Sequence, residues 1–241
     1  MRTLFLACFL FACSQSDTGG ATDSGTAAAT VAPADDPTTD EPDPTTTSGE
    51  TTYTVSVWAD NWSSMYIDGT LVMEDSVPIT TERSFNEEVF TFTATPPFQV
   101  AVELKDFKET DSGLEYIGEP NQQMGDGGYI AQFIRADGST ALVSDASWVC
   151  LVTHQAPLNK DCESSADPDT DCLFATVDTP EGWADPDFDD SQWAAASVYT
   201  EAEVSPKEGY DRVTWDPAAA LIWGTDLEID NTLLCRVGVE G

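Results

Sequence analysis

From Tyr53 onward, apolar and polar side chains alternate with a period of two. Tyr53, Val55, Val57 and Ala59 are separated by Thr54, Ser56 and Trp58; Phe98, Val100, Val102 and Leu104 are separated by Gln99, Ala101 and Glu103. Successive side chains on a strand point to opposite faces, so each run predicts a strand with one face in a core. Phe90, Phe92 and Ala94 alternate with threonines in the same way. Met65-Tyr66-Ile67 and Thr70-Leu71-Val72 flank Asp68-Gly69, a pair that tolerates positive φ, which predicts a type I′ hairpin. Residues 129–134 and 141–143, on either side of Asp137-Gly138, predict a second hairpin. Residues 148–153 and 233–239 predict further strands. No stretch carries a 3.6-residue period, and residues 155–182 read as a long loop. Many short strands punctuated by Gly, Asn, Asp and Pro predict an all-β sandwich, one domain over residues 51–241.

The first 50 residues follow other rules. Arg2 precedes an unbroken apolar run from Leu4 to Ala12, too short to span a bilayer, which reads as a signal peptide over residues 1–12. The run ends Leu10-Phe11-Ala12-Cys13, which resembles the bacterial lipobox. The resemblance implies lipidation of Cys13 and, with Ser14 rather than Asp following, a membrane partner in the outer membrane. An ordinary signal peptide or an uncleaved anchor is the alternative reading. Residues 13–50 are rich in Thr, Asp and Pro and contain no aromatic residue. Such a segment cannot bury enough apolar surface to offset its ordering entropy, so it is expected to be a disordered tether.

Charge narrows the partners. Asp plus Glu number 44 against 9 Lys plus Arg, a formal net charge of −35. That field repels nucleic acid and suits divalent cations or a basic partner, or simply solubility in a screening medium. Beyond the N-terminal segment lie four cysteines, Cys150, Cys162, Cys172 and Cys235. An even number in an exported chain reads as disulfides. Three pairings are open; the favoured one joins Cys162 to Cys172 across a short polar loop and Cys150 to Cys235 between two strand-like runs. With no C-x-x-C spacing and a single histidine, His154, zinc is disfavoured.

Candidate chemistry is sparse. Asp167, Asp169 and Asp171 alternate in a D-x-D-x-D spacing with Asp178 at the twelfth position, the pattern of a Ca²⁺ loop, although Cys172 stands where such a loop needs glycine. Trp62, Trp183 and Trp215 fall in predicted loops and are candidates for stacking on sugar rings. There is no G-x-S-x-G, H-E-x-x-H, P-loop or dinucleotide fingerprint. His154 reads as a solvated loop residue. A glycosidase needs only two carboxylates, but 44 acids nominate no pair.

Several segments share features with one family. Residues 60–69, Asp-Asn-Trp-Ser-Ser-Met-Tyr-Ile-Asp-Gly, resemble the D-N…Y-V-N-G hairpin of galactose-binding-like jelly-roll domains. Phe98 to Glu103, Asp106 and Gly127-Gly128-Tyr129 are similar to that family's next strands and Gly-Gly turn. Trp183 with Phe188-Asp189-Asp190-Ser191-Gln192-Trp193 is similar to its W…F-D-D-S-x-W segment, and Leu221-Ile222-Trp223 and Leu234-Cys235-Arg236 to its closing strands. Asp68 replaces the usual asparagine. The resemblance implies a jelly-roll sandwich and a non-catalytic, glycan-binding role. A structural or adhesion lipoprotein that binds proteins, and a glycan-cleaving enzyme, are the alternatives. Shared turns and aromatics identify a fold rather than a ligand. Trp193 is expected as a core plug.

Overall fold

A computed structural model of the protein describes residues 49–240. The expected signal peptide, Cys13 and all but the end of the expected tether lie outside the described residues. The strands run in chain order as β1 (Thr51–Asp60), β2 (Trp62–Ile67), β3 (Thr70–Glu74), β4 (Glu87–Ala94), β5 (Phe98–Lys105), β6 (Leu114–Glu115), β7 (Gln123–Met124), β8 (Gly128–Arg135), β9 (Thr140–Val143), β10 (Val149–Gln155), β11 (Ala175–Thr176), β12 (Ala194–Ala195), β13 (Ser197–Tyr199), β14 (Leu221–Trp223) and β15 (Asp230–Val239). Among the described residues, helix is confined to α1 (Pro168–Asp171), α2 (Glu201–Val204) and the 3₁₀ turns Lys160–Ser164 and Tyr210–Arg212.

The first sheet has the order β13-β14-β8-β1-β4, with β9 also on β8; the second has β11-β10-β15-β5-β2-β3, with β12 also on β10. All pairings are antiparallel. The alternation in the sequence is used as expected. Tyr53, Val55, Val57 and Ala59 of β1 meet Phe98, Val100, Val102 and Leu104 of β5 in one buried core, which Met65, Tyr129, Phe133, Trp148 and Leu233 complete. The fold is therefore all-β and sandwich-like. Asp68 and Gly69 both take positive φ, and Ile67 pairs with Thr70, so the hairpin expected there forms.

Both disulfides form as favoured. Cys150 and Cys235 face each other across β10 and β15, with Cα atoms 4.1 Å apart, on the core side of the sheet. Cys162–Cys172 packs with Leu114, Ile117 and Met124 in a small satellite core that joins two long loops. The segment expected to be one loop, 155–182, carries a 3₁₀ turn, α1 and the edge strand β11.

The two outer faces are covered differently. Over β1 and β8, Trp58 and Ile130 pack against Val204, Leu221, Tyr210 and Trp215. Over the second sheet, Arg236 of β15 points outward yet is only 1% exposed. Its Nε donates to Asp190 Oδ2 at 2.7 Å, its Nη1 donates to the carbonyls of Trp183 and Asp185, and its guanidinium lies 5.3 Å from the Phe188 ring. The W…F-D-D-S-x-W segment is thus a lid fastened by one arginine. Asp189 Oδ1 accepts from the Ser191 amide, the expected turn. Trp193 is a correction: it is half-buried against Phe188 rather than in the core, because the lid rests on the sheet's outer face. His154 is a second correction. It is buried in β10, with Nδ1 2.9 Å from Asn231 Oδ1 and its ring stacked on Phe174, because β10 runs two residues further than its apolar pattern.

Candidate functional site

The strands β1 and β5 end, and β8 and β15 begin, at one pole of the sandwich, and the long loops gather there. They enclose a cleft of about 620 Å³ lined by Gln123, Met124, Gly125, Asp126, Lys160, Glu163, Tyr199, Glu203 and residues 225–228. Each wall has a local cause. The short β6–β7 ladder presents Gln123 to Asp126. The Cys162–Cys172 bridge fixes the 3₁₀ turn that carries Lys160 and Glu163, and Gln122 Nε2 ties that turn down by donating to the carbonyls of Glu163 and Ser165 at 2.6 and 2.9 Å. Tyr199 ends β13, where its hydroxyl donates to the Gly224 carbonyl at 2.8 Å. Glu203 closes a capping box with Thr200 at the start of α2.

The lining carries five carboxylates, Asp126, Glu163, Glu203, Asp226 and Glu228, against one ammonium, Lys160. Lys160 Nζ braces the rim through Asp226 at 2.9 Å and Glu228 at 2.6 Å. Hydrogen bonds from the Thr200 amide and hydroxyl hold Glu203 below the ordinary carboxylate range. Such a surface accepts hydrogen bonds from hydroxyl or ammonium groups and rejects anions.

Beneath this cleft the acids continue into the protein. Asp60, at the end of β1, is fully buried, and Asp106, just after β5, is 2% exposed. Lys207 Nζ donates to Asp60 Oδ2 at 3.0 Å and to both oxygens of Asp126 at 2.8 Å, and lies 5.5 Å from the Phe85 ring. Burial pushes the Asp60 carboxyl up to about 7, against the pull of Lys207. Burial also pushes Glu115 up to about 7. Asp106 is raised well above the usual range, by burial first and then by the charges of Asp60, Glu115 and Asp126. For Lys207, burial works against the charge, but Asp60 and Asp126 outweigh it and hold the ammonium above its ordinary range.

The residues singled out from sequence lie elsewhere. Trp62 is buried at the start of β2, with Lys105 Nζ 4.4 Å from its ring. Trp183 is half-buried, edge-on to Tyr66 at 5.4 Å, at the start of the arginine-fastened lid. Trp215 sits over the first sheet, donating to the Tyr210 carbonyl at 3.2 Å. The three tryptophans therefore share no platform: two lie on the outer side of one sheet and the third on the outer side of the other. Asp169 and Asp171 belong to α1, with Asp167 at its cap. Residues two apart on a helix point away from each other, so the D-x-D-x-D spacing does not converge there. Asp171 instead accepts from Ser165 Oγ at 2.5 Å. Asp178 follows β11 on the exposed surface. Among the described residues, no group of three or more His, Cys, Asp or Glu side chains is arranged to hold a metal ion.

The cleft and the acids below it were not legible beforehand. Their residues come from distant segments; Asp60 and Lys207, for example, are 147 positions apart. The nearest signal was the Asp60-Asn61 pair, where Asn61 Oδ1 accepts from the Phe107 amide and so locks Asp106 beside β1. Compared with known proteins, the chain matches no protein family, no curated protein and no solved structure.

Proposed function

We propose that the protein is an exported, lipid-anchored binding protein with a galactose-binding-like jelly-roll domain, and that its cleft takes a polyhydroxylated ligand of the glycan class. The observation that carries this reading is the cleft itself. Its volume suits a few sugar rings. Its carboxylates and the Gln123 amide suit hydroxyl donors, and Tyr199 and Leu227 offer apolar surface for C–H faces. The reading is non-catalytic. A glycosidase acid needs a raised pKa at the substrate, whereas Glu203 is lowered and Asp226 and Glu228 are engaged by Lys160.

A glycan array followed by calorimetry on the full chain tests this. Glu228→Ala should weaken the best glycan by about tenfold, the scale of one lost charged hydrogen bond, while leaving the melting temperature unchanged, since exposed ion pairs add little stability. A flat array, or affinity unchanged in Glu228→Ala, would remove the cleft from consideration. Release of new sugar ends during incubation would move the reading to an enzyme.

A second reading, adhesion to proteins, is favoured by an exposed apolar group beside the β11 edge: Leu158, Leu173, Phe174 and Val177. Protein binding lost in Phe174→Ser, with a flat glycan array, would favour it.

The anchor is proposed at Cys13. Cys13→Ser should move the protein from the membrane fraction to the soluble fraction. Unchanged partitioning would exclude lipidation at that cysteine.

A further inference from the structure

The open edges of the two sheets are not alike. β11 and β12 have two residues each and β13 has three; β9 and β3 have four and five, and a register shift breaks the pairing of each. Short or irregular edges keep a sheet from being extended by another chain. β4 lacks these protections. It has eight residues, holds register with β1 throughout, contains no Pro, Lys or Arg, and pairs with no other strand among the described residues.

Its open backbone groups can be read from β1. The Thr52 carbonyl accepts from the Ala136 amide at 3.1 Å, so Thr52 turns toward β8. In an antiparallel ladder, successive residues turn to opposite sides. Tyr53, Val55 and Val57 therefore turn toward β4 and bond their register partners Phe92, Phe90 and Glu88. That leaves the amides and carbonyls of Val89, Thr91 and Thr93 directed out of the sheet. Along the same stretch, Phe90 and Phe92 join the core only half-buried, and Val89 is 59% exposed.

We propose that β4 pairs with β4 of a second copy of the chain, antiparallel about a two-fold axis at Thr91, so that the first sheets of two protomers become one. The strand's own sequence fits this register. Val89 lies opposite Thr93 of the second copy and Thr91 opposite Thr91, and each pair exchanges two backbone hydrogen bonds. On the core side, Phe90 meets Phe92 of the second copy, which closes the half-open end of both cores. Glu88 meets Ala94, and the two copies of Glu88 stand about 20 Å apart along the strands, so no acid faces an acid. An axis at Phe90 would instead set Glu88 against Phe92. The charges at the ends agree: Arg212, bonded to Glu87 at 3.1 Å, stands at the end where β1 of the second copy enters beside Glu50. The run from Val89 to Ala94 carries no charge, so nothing along it selects a basic strand. A patch that pairs with itself about a two-fold axis also closes, and does not propagate into fibres. This surface is independent of what the cleft binds.

The test uses the full chain in a Cys8→Ser/Cys13→Ser background, so that no lipid drives association and the four bonded cysteines are the only ones left. Sedimentation equilibrium should show dimer rising between about 1 μM and about 1 mM, the range of a small interface. Dimer should increase from about 0.15 M to about 1 M NaCl, because screening weakens the repulsion of a chain of charge −35. Thr91→Pro removes an amide that β1 does not use, and Thr91→Lys sets two like charges together at the axis. Each should weaken the dimer at least about tenfold with the melting temperature of the monomer unchanged. If Thr91→Pro does not fold, Thr91→Lys decides. Under mild oxidation Thr91→Cys should form a disulfide-linked dimer, since hydrogen-bonded partners have Cα atoms about 5.5 Å apart. Val89→Cys, about 14 Å from its copy, should not. A dimer that survives both Thr91 variants, or equal cross-linking through Val89→Cys, would overturn the proposal. So would a monomer at every concentration. If the Val89, Thr91 and Thr93 amides of that monomer resist hydrogen exchange, the edge belongs to the chain's own N-terminal segment; if they exchange freely, it is left to a strand of another protein.

Discussion

Arg236→Ala should destabilise the protein by about 2–4 kcal/mol, the cost of removing a buried, hydrogen-bonded charge whose carboxylate partner, Asp190, keeps some contact with water. The arginine is 1% exposed and is the common partner of the Asp190 carboxylate and of two carbonyls, those of Trp183 and Asp185. Alanine leaves the Asp190 carboxylate and the carbonyls of Trp183 and Asp185 without their shared donor, and removes the cation that lies against Phe188. The lid over the second sheet should then loosen, exposing Trp183 and Trp193. Denaturant midpoints measure the loss, and limited proteolysis within residues 183–193 locates it. Arg236→Lys should recover less than half, because an ammonium cannot span acceptors in three directions as the planar fork does. A loss below about 1 kcal/mol for the alanine variant would mean that the lid is held by its own turns and not by β15.

The second large effect is expected from the cross-strand disulfide. Cys150 and Cys235 are 85 residues apart, so their bond removes far more freedom from the unfolded chain than Cys162–Cys172, which closes a separation of 10. The chain-entropy relation gives about 4–5 kcal/mol for the long loop and about 3 kcal/mol for the short one. The Cys150→Ala/Cys235→Ala variant should therefore show the larger shift in denaturant midpoint. The Cys162→Ala/Cys172→Ala variant should lose less stability but more ligand affinity, since its bridge sets the wall that carries Lys160 and Glu163. The opposite order of stabilities would show that the satellite core around Leu114 matters more than loop closure.

The sandwich was legible because its information is local. Tyr53 to Ala59 and Phe98 to Leu104 state their core face by period alone, and Asp68-Gly69 states its turn by backbone preference. The cysteine pairs were readable because strand-like runs flanked one pair and a short polar loop lay inside the other. Short ladders such as β6–β7 and β12 left no pattern, since two residues cannot show a period. Trp193 misled because an aromatic residue in a turn-rich segment reads the same whether it plugs a core or rests on a sheet. The candidate site was hidden for a different reason. Asp60, Asp106 and Glu115 are three among 44 acids, and what sets them apart from most is burial, which only the folded loops create. The D-x-D-x-D spacing drew the eye to Asp167 instead, where a helical turn spreads the carboxylates apart.

The direction of two strands has a practical consequence. β1 enters at Thr51 and reaches the acids at Asp60, and β15 leaves them at Asp230 and ends at Val239, which pairs with Phe98 beside Tyr53. Both ends of the folded body therefore emerge from the pole opposite the cleft, about ten residues, or roughly 33 Å, away along the strands. The domain is wired like a lamp, with its leads at the base and its working face free. It can be strung between other domains, or fixed to a bead or sensor chip at either end, without shading the cleft.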